Sequence, residues 1–228
     1  MAEEQKHPMS ICGDIHRILH QMPRLSFPFD VAMIPRDGIY VLFEKGETGH
    51  GGDRIVRVGT HTGERQLRSR LQQHFVKENK DRSIFRKNVG RAILHKGGDP
   101  FLTQWNLDLT TKAKKDQYAG TIDLMRKEET EKQVSAYIRS RFSFVVFGVP
   151  NKADRLRIES ALISTVFQCE ECQPSEAWLG RSSPLPKIVE SGLWLVNELN
   201  KTPMTGFDVD ALRALCSGCK SPLEQAET

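Results

Sequence analysis

Residues 38–60 read GIYVLFEKGETGHGGDRIVRVGT and hold two β-strand patterns on either side of a glycine-rich segment. Every residue from 39 to 43 is apolar or aromatic, which is typical of a strand that is buried on both faces. Residues 55–60 predict a second strand, antiparallel to the first. The four glycines between residues 44 and 53 predict a long hairpin loop that joins the two strands.

The helical spacing of apolar residues predicts six helices, and a β-prone run predicts one further strand. The helices span residues 11–22, 64–77, 83–95, 124–139, 153–167 and 208–215, and the strand spans residues 141–149. We therefore predict an α+β fold, in which a small mixed, mainly antiparallel β-sheet is flanked by helices. The expected organisation is an N-terminal helix and connector (1–36), a core (37–170) and a C-terminal extension packed on the core (171–228).

The charge of the chain is concentrated in one segment. The chain has 228 residues and a net charge of only +4. Residues 54–96 nevertheless hold twelve Lys and Arg against three Asp and Glu, an excess of nine positive charges, so the rest of the chain is acidic. Such asymmetry favours a surface that binds a polyanion, and a polynucleotide more than a membrane.

The composition excludes several classes of protein. A hydrophobic content of 38% with 27% charged residues fits a globular protein and not a disordered one. Apolar runs such as residues 144–147 are far too short to span a membrane. The first ten residues are polar and do not resemble a signal peptide, and five cysteines are few for a disulfide scaffold. We therefore expect a cytoplasmic protein without a membrane partner.

Four short motifs follow one another along the predicted elements. They are Gly38-Ile39-Tyr40 on the first strand, Arg57-Val58-Gly59 on the second, Arg70 and His74 on the next helix, and Glu159 on a later helix. In this order they resemble the motifs of the GIY-YIG nuclease superfamily over residues 38–163, and in particular a standalone bacterial, restriction-endonuclease-like subgroup. The resemblance implies a metal-dependent endonuclease that hydrolyses DNA phosphodiester bonds.

The resemblance also implies a role for each motif residue. Tyr40 would be the general base, and Glu159 would hold a single Mg²⁺ or Mn²⁺. Arg70 would clamp the scissile phosphate, with assistance from His74, four residues along the same helix face.

Each of these residues also has a structural interpretation. The Tyr40 ring could simply pack within the sheet, and Arg70 and His74 could belong to a solvated helix face. Glu159 borders an apolar stripe, where a carboxylate needs a metal or an ion-pair partner such as Arg155. These alternatives stay open at the level of sequence.

Two positions depart from the family pattern. Arg57 stands where the second motif usually has a tyrosine, and this change would supply either another phosphate contact or a weakened catalyst. The family's late asparagine is not found at a short distance after Glu159, and Asn197 is the candidate for it.

The basic segment, which includes the helix predicted over residues 83–95, predicts the contacts with DNA, for which double-stranded DNA is favoured. These contacts position the duplex through its phosphates and do not read bases. The candidate residues are Arg54, Arg68, Lys77, Arg86, Lys87 and Arg91. The oligomeric state stays open, with a homodimer among the options.

The cysteines indicate a separate structural Zn²⁺ site. Cys169 and Cys172 form one C-x-x-C pair, and Cys216 and Cys219 form another, which is the spacing of zinc knuckles. The alternative is that these cysteines are small core residues near helix ends. Neither pair belongs to the nuclease motifs.

Three functions follow from these patterns. The first is the GIY-YIG-type endonuclease, with restriction, repair and mobile-element roles all open. The second is a catalytically decayed nucleic-acid-binding module, for which Arg57 would be the sign. The third is a zinc-stapled structural or interaction protein with a basic helical face.

Overall fold

A four-stranded β-sheet forms the centre of the molecule in a computed structural model that describes residues 10–217. Its strands are β1 (Leu25–Ser26), β2 (Gly38–Gly49), β3 (Gly52–Gly59) and β4 (Phe142–Gly148), in the order β1-β4-β2-β3. Neighbouring strands pair antiparallel throughout this sheet. Helices cover both of its faces, so the predicted α+β fold with a small antiparallel sheet is confirmed.

The segment between the two motif strands is a strand and not a loop. β2 continues to Gly49, and only His50 and Gly51 separate it from β3, both with positive φ. The register between β2 and β3 shifts after Leu42 and again between Phe43 and Thr48. The extra residues of β2 are accommodated as bulges, and the strand stays paired in the sheet. The predicted long loop is therefore wrong, because glycines in this segment serve a bulged strand and a tight turn.

The six predicted helices are all present, with ends within three residues of their predicted positions. Within residues 10–217, three further short helices lie where the sequence has no clear apolar period, at residues 102–106, 112–117 and 186–191. The helices are α1 (Ile11–His20), α2 (Leu67–Phe75), α3 (Ile84–Lys96), α4 (Leu102–Asn106), α5 (Lys112–Gln117), α6 (Leu124–Arg141), α7 (Lys152–Phe167), α8 (Pro186–Ser191) and α9 (Gly206–Ser217).

Side-chain oxygens fix where several of these helices begin. Ser83, Asp123 and Asn151 each accept a hydrogen bond from the backbone N–H three residues later, at the start of α3, α6 and α7. Such caps satisfy one of the free N–H groups of the first turn. The helices that carry candidate site residues therefore begin at positions set by local sequence.

The sheet separates two hydrophobic cores. Ile39, Val41 and Phe43 point into a core built with α1, α7 and α9. Tyr40 and Leu42 point into the other, which α2, α3 and α6 cover. Both faces are buried, which explains why the strands are apolar along their whole length. Residues near both ends of the chain contribute to the first core, and the division at residues 36 and 170 stays a prediction.

Within residues 10–217, every helix is too short or too polar to cross a lipid bilayer.

Candidate active site

The motif glycines leave space for their neighbours across the sheet. Tyr40 pairs with Gly59 on the adjacent strand, where a Cβ atom would lie 2.2 Å from the Tyr40 Oη atom. A Cβ atom at Gly38 would lie 2.1 Å from the backbone oxygen of Phe147 in β4. Both distances are far below van der Waals contact. Glycine is therefore required at both positions by packing, and the Tyr40 ring lies over Gly59.

Tyr40 takes part in a buried hydrogen-bond network with Arg57 and His74. Its Oη atom lies 2.8 Å from His74 Nε2, and Arg57 Nε donates to the same oxygen at 3.3 Å. His74 Nδ1 lies 2.7 Å from Ser83 Oγ on the far side of the ring. The tyrosine and the histidine have no exposed surface. The network is thus an interior one, and the phenol is held by two partners.

His74 is a neutral imidazole in this environment. Burial lowers the pKa of His74 well below its ordinary value, and the positive charges of Arg70, Arg57 and Arg86 lower it further. A neutral imidazole has one nitrogen that donates and one that accepts. His74 can therefore accept a proton from Tyr40 only if Nδ1 is the nitrogen that carries hydrogen.

Glu159 is positioned by the end of β3. Its Oε1 atom accepts a hydrogen bond of 2.9 Å from the backbone N–H of Thr60, directly after Gly59. Burial raises the pKa of Glu159, and the Glu198 carboxylate adds to this, whereas Arg57 and the Thr60 N–H oppose it. The carboxylate on α7 and the second motif strand therefore belong to one site.

The ion pair between Glu159 and Arg155 that the sequence left open is not formed. Arg155 is buried and its Nη1 atom donates to the backbone oxygens of Val149 and Pro150. The same atom lies 3.6 Å from Asp37 Oδ1. Glu159 therefore has Arg57 and Arg70 as its positive neighbours.

Two clefts meet at Glu159. One has a volume of about 310 Å³ and the other of about 500 Å³, and both are lined by Arg70, Leu156 and Glu159. The larger cleft also contains Arg57 and Asn197 in its wall. The structure therefore brings four of the predicted site residues to one groove. Tyr40 is not among the residues that line the two clefts, and Arg57 connects it to the wall of the larger one by a hydrogen bond.

Two residues of the larger cleft were not anticipated from the sequence. Glu198 follows Asn197, accepts a hydrogen bond of 2.7 Å from Ser160 Oγ, and has a φ of 64°. That left-handed conformation costs on the order of 1–3 kcal/mol in a residue other than glycine. Asn88, a buried amide on α3, lies on the other side of the cleft. No spacing pattern marks either residue, since their segments meet only in the folded chain.

Two of the predicted DNA contacts lie in the interior. Arg54 Nη2 donates to Glu47 Oε2 at 2.7 Å, and Arg86 Nη2 donates to Glu131 Oε2 at 2.7 Å. Both guanidinium groups are completely buried. Unlike the sequence-based expectation, Arg54 and Arg86 are not surface residues, and their charge is used inside the protein.

The other predicted contacts are accessible to different degrees. Lys77 is exposed just after α2. Arg68, Lys87 and Arg91 are half-buried and donate hydrogen bonds to neighbouring oxygens. Burial and the charges of Lys80 and Arg91 lower the pKa of Lys87 to about 8. Contact of these four residues with DNA stays a prediction.

The described cysteines of the zinc site that was predicted from the sequence have different neighbours in the structure. Cys172 lies 3.5 Å from Cys12, sulfur to sulfur, whereas Cys216 is a buried residue of α9. Cys219 lies outside the described residues, so the four-cysteine site stays a prediction. A set of Cys and His residues does come together around Cys172, which is compatible with metal binding.

The geometry described above agrees with a comparison against protein-family models. The model of the GIY-YIG domain matches residues 3–221, nearly the whole chain. The chain belongs to the GIY-YIG domain family. GIY-YIG proteins are generally endonucleases that use divalent metals, so membership indicates a nuclease-type hydrolase with a nucleic-acid substrate. Searches of curated proteins and of solved structures found no match for this GIY-YIG chain.

Proposed function

We propose that the protein is a metal-dependent endonuclease that hydrolyses phosphodiester bonds of double-stranded DNA. The observation that carries this proposal is the position of Arg57. Its Nε atom donates to Tyr40 Oη, its side chain lines the larger cleft, and its charge acts on Glu159. Arg57 thereby connects the buried phenol to the groove where a phosphate would bind.

The oxygen donors of the groove fit a hard divalent cation. The Glu198 carboxylate lies close enough to Glu159 to raise the pKa of Glu159, and the Asn197 amide lines the same cleft. Mg²⁺ and Mn²⁺ prefer such oxygen ligands. Glu159 would hold the ion, with Glu198 as a further acidic neighbour. When bound, the ion would stabilise negative charge on the phosphate and on the leaving oxygen.

The protein's own residues would transfer the proton of the attacking water and bind the scissile phosphate. Tyr40 Oη would accept a proton from the attacking water as its own hydroxyl proton shifts to His74 Nε2. A phosphate bound beside Arg57 and Arg70 would offset the positive charges that lower the pKa of His74, and this would favour the transfer. Arg70, which lines both clefts, clamps the scissile phosphate.

The remaining parts of the proposal concern the partner and the setting. Lys77, together with Arg68, Lys87 and Arg91, would neutralise phosphates on either side of the scissile bond, which makes binding strongly dependent on salt. The cytoplasmic location stays a prediction, and the oligomeric state stays open.

A second candidate is a nucleic-acid-binding module without catalysis. Tyr40 has no exposed surface, and Arg57 occupies the position where the family usually has a tyrosine. A module of this kind would bind DNA through the same groove and leave it intact.

Cleavage of supercoiled plasmid by the full chain, with Mg²⁺ or Mn²⁺, separates the two candidates. We expect the parent protein to cut, and Tyr40→Phe to lower the rate by about 10²- to 10⁴-fold, the usual effect of losing a general base. Glu159→Gln, which keeps the shape of the side chain and removes its charge, should also abolish cutting. Glu128→Gln is the matched control, because Glu128 is an exposed carboxylate of α6.

The outcomes are distinct. Cutting by Glu159→Gln at the parental rate would refute the metal assignment. Binding in a gel-shift assay without cutting, over several DNA sequences and both metals, would favour the binding module.

A further inference from the structure

Four metal-ligating side chains from three distant segments meet on the side of the sheet that faces α1. Cys12 and His16 belong to α1, His50 belongs to the turn between β2 and β3, and Cys172 ends the short turn Glu170–Cys172. One ligand atom of each lies within 4.8 Å of the others. We call these four residues the Cys/His cluster. We propose that the cluster is a structural Zn²⁺ site.

The spacing of the ligand atoms matches a tetrahedral ion. Zn–S bonds of about 2.3 Å and Zn–N bonds of about 2.0 Å place two sulfurs about 3.8 Å apart and a sulfur and a nitrogen about 3.6 Å apart. The Cys12 and Cys172 sulfurs are 3.5 Å apart, and the Cys172 sulfur lies 3.9 Å from His16 Nε2. These two distances are therefore already close to those of a tetrahedral site, and all four ligand atoms lie within 4.8 Å of one another.

Both histidines are oriented by hydrogen bonds to their other nitrogen. His16 Nδ1 donates to the backbone oxygen of Cys12 at 3.0 Å, which leaves the lone pair on Nε2. His50 Nδ1 lies 3.3 Å from a carboxylate oxygen of Glu171, so Nε2 is the nitrogen with which His50 would bind the ion. An oxygen partner on the second nitrogen is characteristic of histidines that bind metal.

The Nε2 atoms of both histidines also contact groups outside the cluster. His16 Nε2 also lies 3.3 Å from the Ile55 N–H, and His50 Nε2 lies 3.2 Å from the Cys169 sulfur. Cys169 is more exposed than Cys172 and is not one of the four mutually close ligands. The choice of Cys12 over Cys169 is therefore part of the proposal and is tested below.

The donor set selects the metal. Two thiolates and two imidazoles in a closed tetrahedron suit Zn²⁺, whereas Mg²⁺ requires oxygen ligands. Four protein ligands would fill the tetrahedral coordination shell, so no position would be open to a substrate, and three of the four residues are buried. The ion would be structural and would cross-link α1, the hairpin tip and the turn after α7.

The site is also separate from the proposed active site. Tyr40 and Gly49, next to His50, pair with Gly59 and Gly52 of β3, and the seven residue steps between these two glycines span at most about 23 Å in an extended strand. Loss of the ion is therefore expected to act on stability and not on the reacting groups.

The test is the zinc content of the purified full chain, measured by mass spectrometry after gel filtration. We expect one Zn²⁺ per chain, and loss of that zinc in Cys12→Ser, Cys172→Ser and His50→Asn. Asparagine at position 50 tolerates the left-handed turn, so this variant keeps the hairpin and removes one ligand. Cys169→Ser and Cys216→Ser should retain zinc, which discriminates the cluster from the C-x-x-C pairs.

A second measurement does not depend on the variants' folding. Replacement of zinc by Co²⁺ in the parent protein should give the visible absorption of a tetrahedral site with thiolate charge-transfer bands. Removal of zinc by a chelator should lower Tm, and Zn²⁺ but not Mg²⁺ should restore it. Absence of stoichiometric zinc in protein made with added Zn²⁺, zinc loss in Cys169→Ser or Cys216→Ser, or recovery of a Cys12–Cys172 disulfide would each overturn the proposal.

Discussion

Replacement of Gly59 by alanine tests the packing that holds Tyr40 in place. The new Cβ atom would lie 2.2 Å from Tyr40 Oη and 2.4 Å from the ring carbon Cζ. Because non-bonded heavy atoms settle at about 3.5 Å, the phenol must retreat by about 1 Å or more. That movement lengthens its hydrogen bonds to His74 and Arg57.

The size of the effect follows from two opposing contributions. Overpacking of a core costs about 1–3 kcal/mol, whereas replacing glycine by alanine within a strand gains about 0.5–1 kcal/mol. Gly148→Ala on β4 is the matched control, because the nearest atoms to its Cβ would be 3.9 Å away. Both variants gain the stability that alanine gives a strand over glycine, so this gain cancels when the two are compared. Gly59→Ala should therefore be less stable than Gly148→Ala by about 1–3 kcal/mol, the cost of overpacking.

Urea unfolding and plasmid cleavage provide the two measurements. A displacement of about 1 Å at a reacting group lowers the rate by about 10²-fold, so Gly59→Ala should also cut slowly while Gly148→Ala cuts normally. In a Tyr40→Ala background, the stability cost of Gly59→Ala should disappear, because the clash is with the tyrosine ring. Equal stability of Gly59→Ala and Gly148→Ala would refute the packing of Tyr40 over Gly59.

Two further changes test the interior around this site. Since the folded protein holds His74 neutral while the unfolded chain protonates it below pH 6.5, the parent should lose stability on acidification by up to about 1.4 kcal/mol per pH unit more than His74→Gln. Urea unfolding at pH 7.5 and 5.5 measures this, and parallel profiles for the two proteins would contradict it. Glu131→Ala should cost about 3–5 kcal/mol, because it leaves the buried Arg86 guanidinium without its partner. Glu128→Ala on the exposed face of the same helix should change the urea midpoint little, and a similar loss in both variants would argue against the buried pair.

The sequence was informative where the pattern is local. Apolar spacing located the helices, because α2 and α7 each bury one stripe, and cap residues such as Ser83 mark where they begin. The motif order was sufficient to select Arg70 and Glu159, which the structure brings to the same cleft. Short-range periodicity therefore carries most of the fold class and part of the candidate site.

The sequence was uninformative where a residue's partner comes from a distant segment. A basic run does not reveal that Arg86 pairs with Glu131, 45 residues away, or that Arg57 donates to the backbone oxygen of Trp194. The same applies to Glu198, whose left-handed conformation and place beside Glu159 exist only after folding. Counting charge along the chain therefore overestimated the surface that is available to DNA.

The packing of α1 against α9 has a consequence for synthesis. The core between the sheet and α1 includes Val209 and Leu212 of α9, so it stays open until residues 206–217 have left the ribosome. The opposite core draws on segments up to Trp194 and can close earlier. Because contacts between distant segments form slowly, we expect the nascent chain to expose α1 for most of its translation, and to depend on chaperones over that interval.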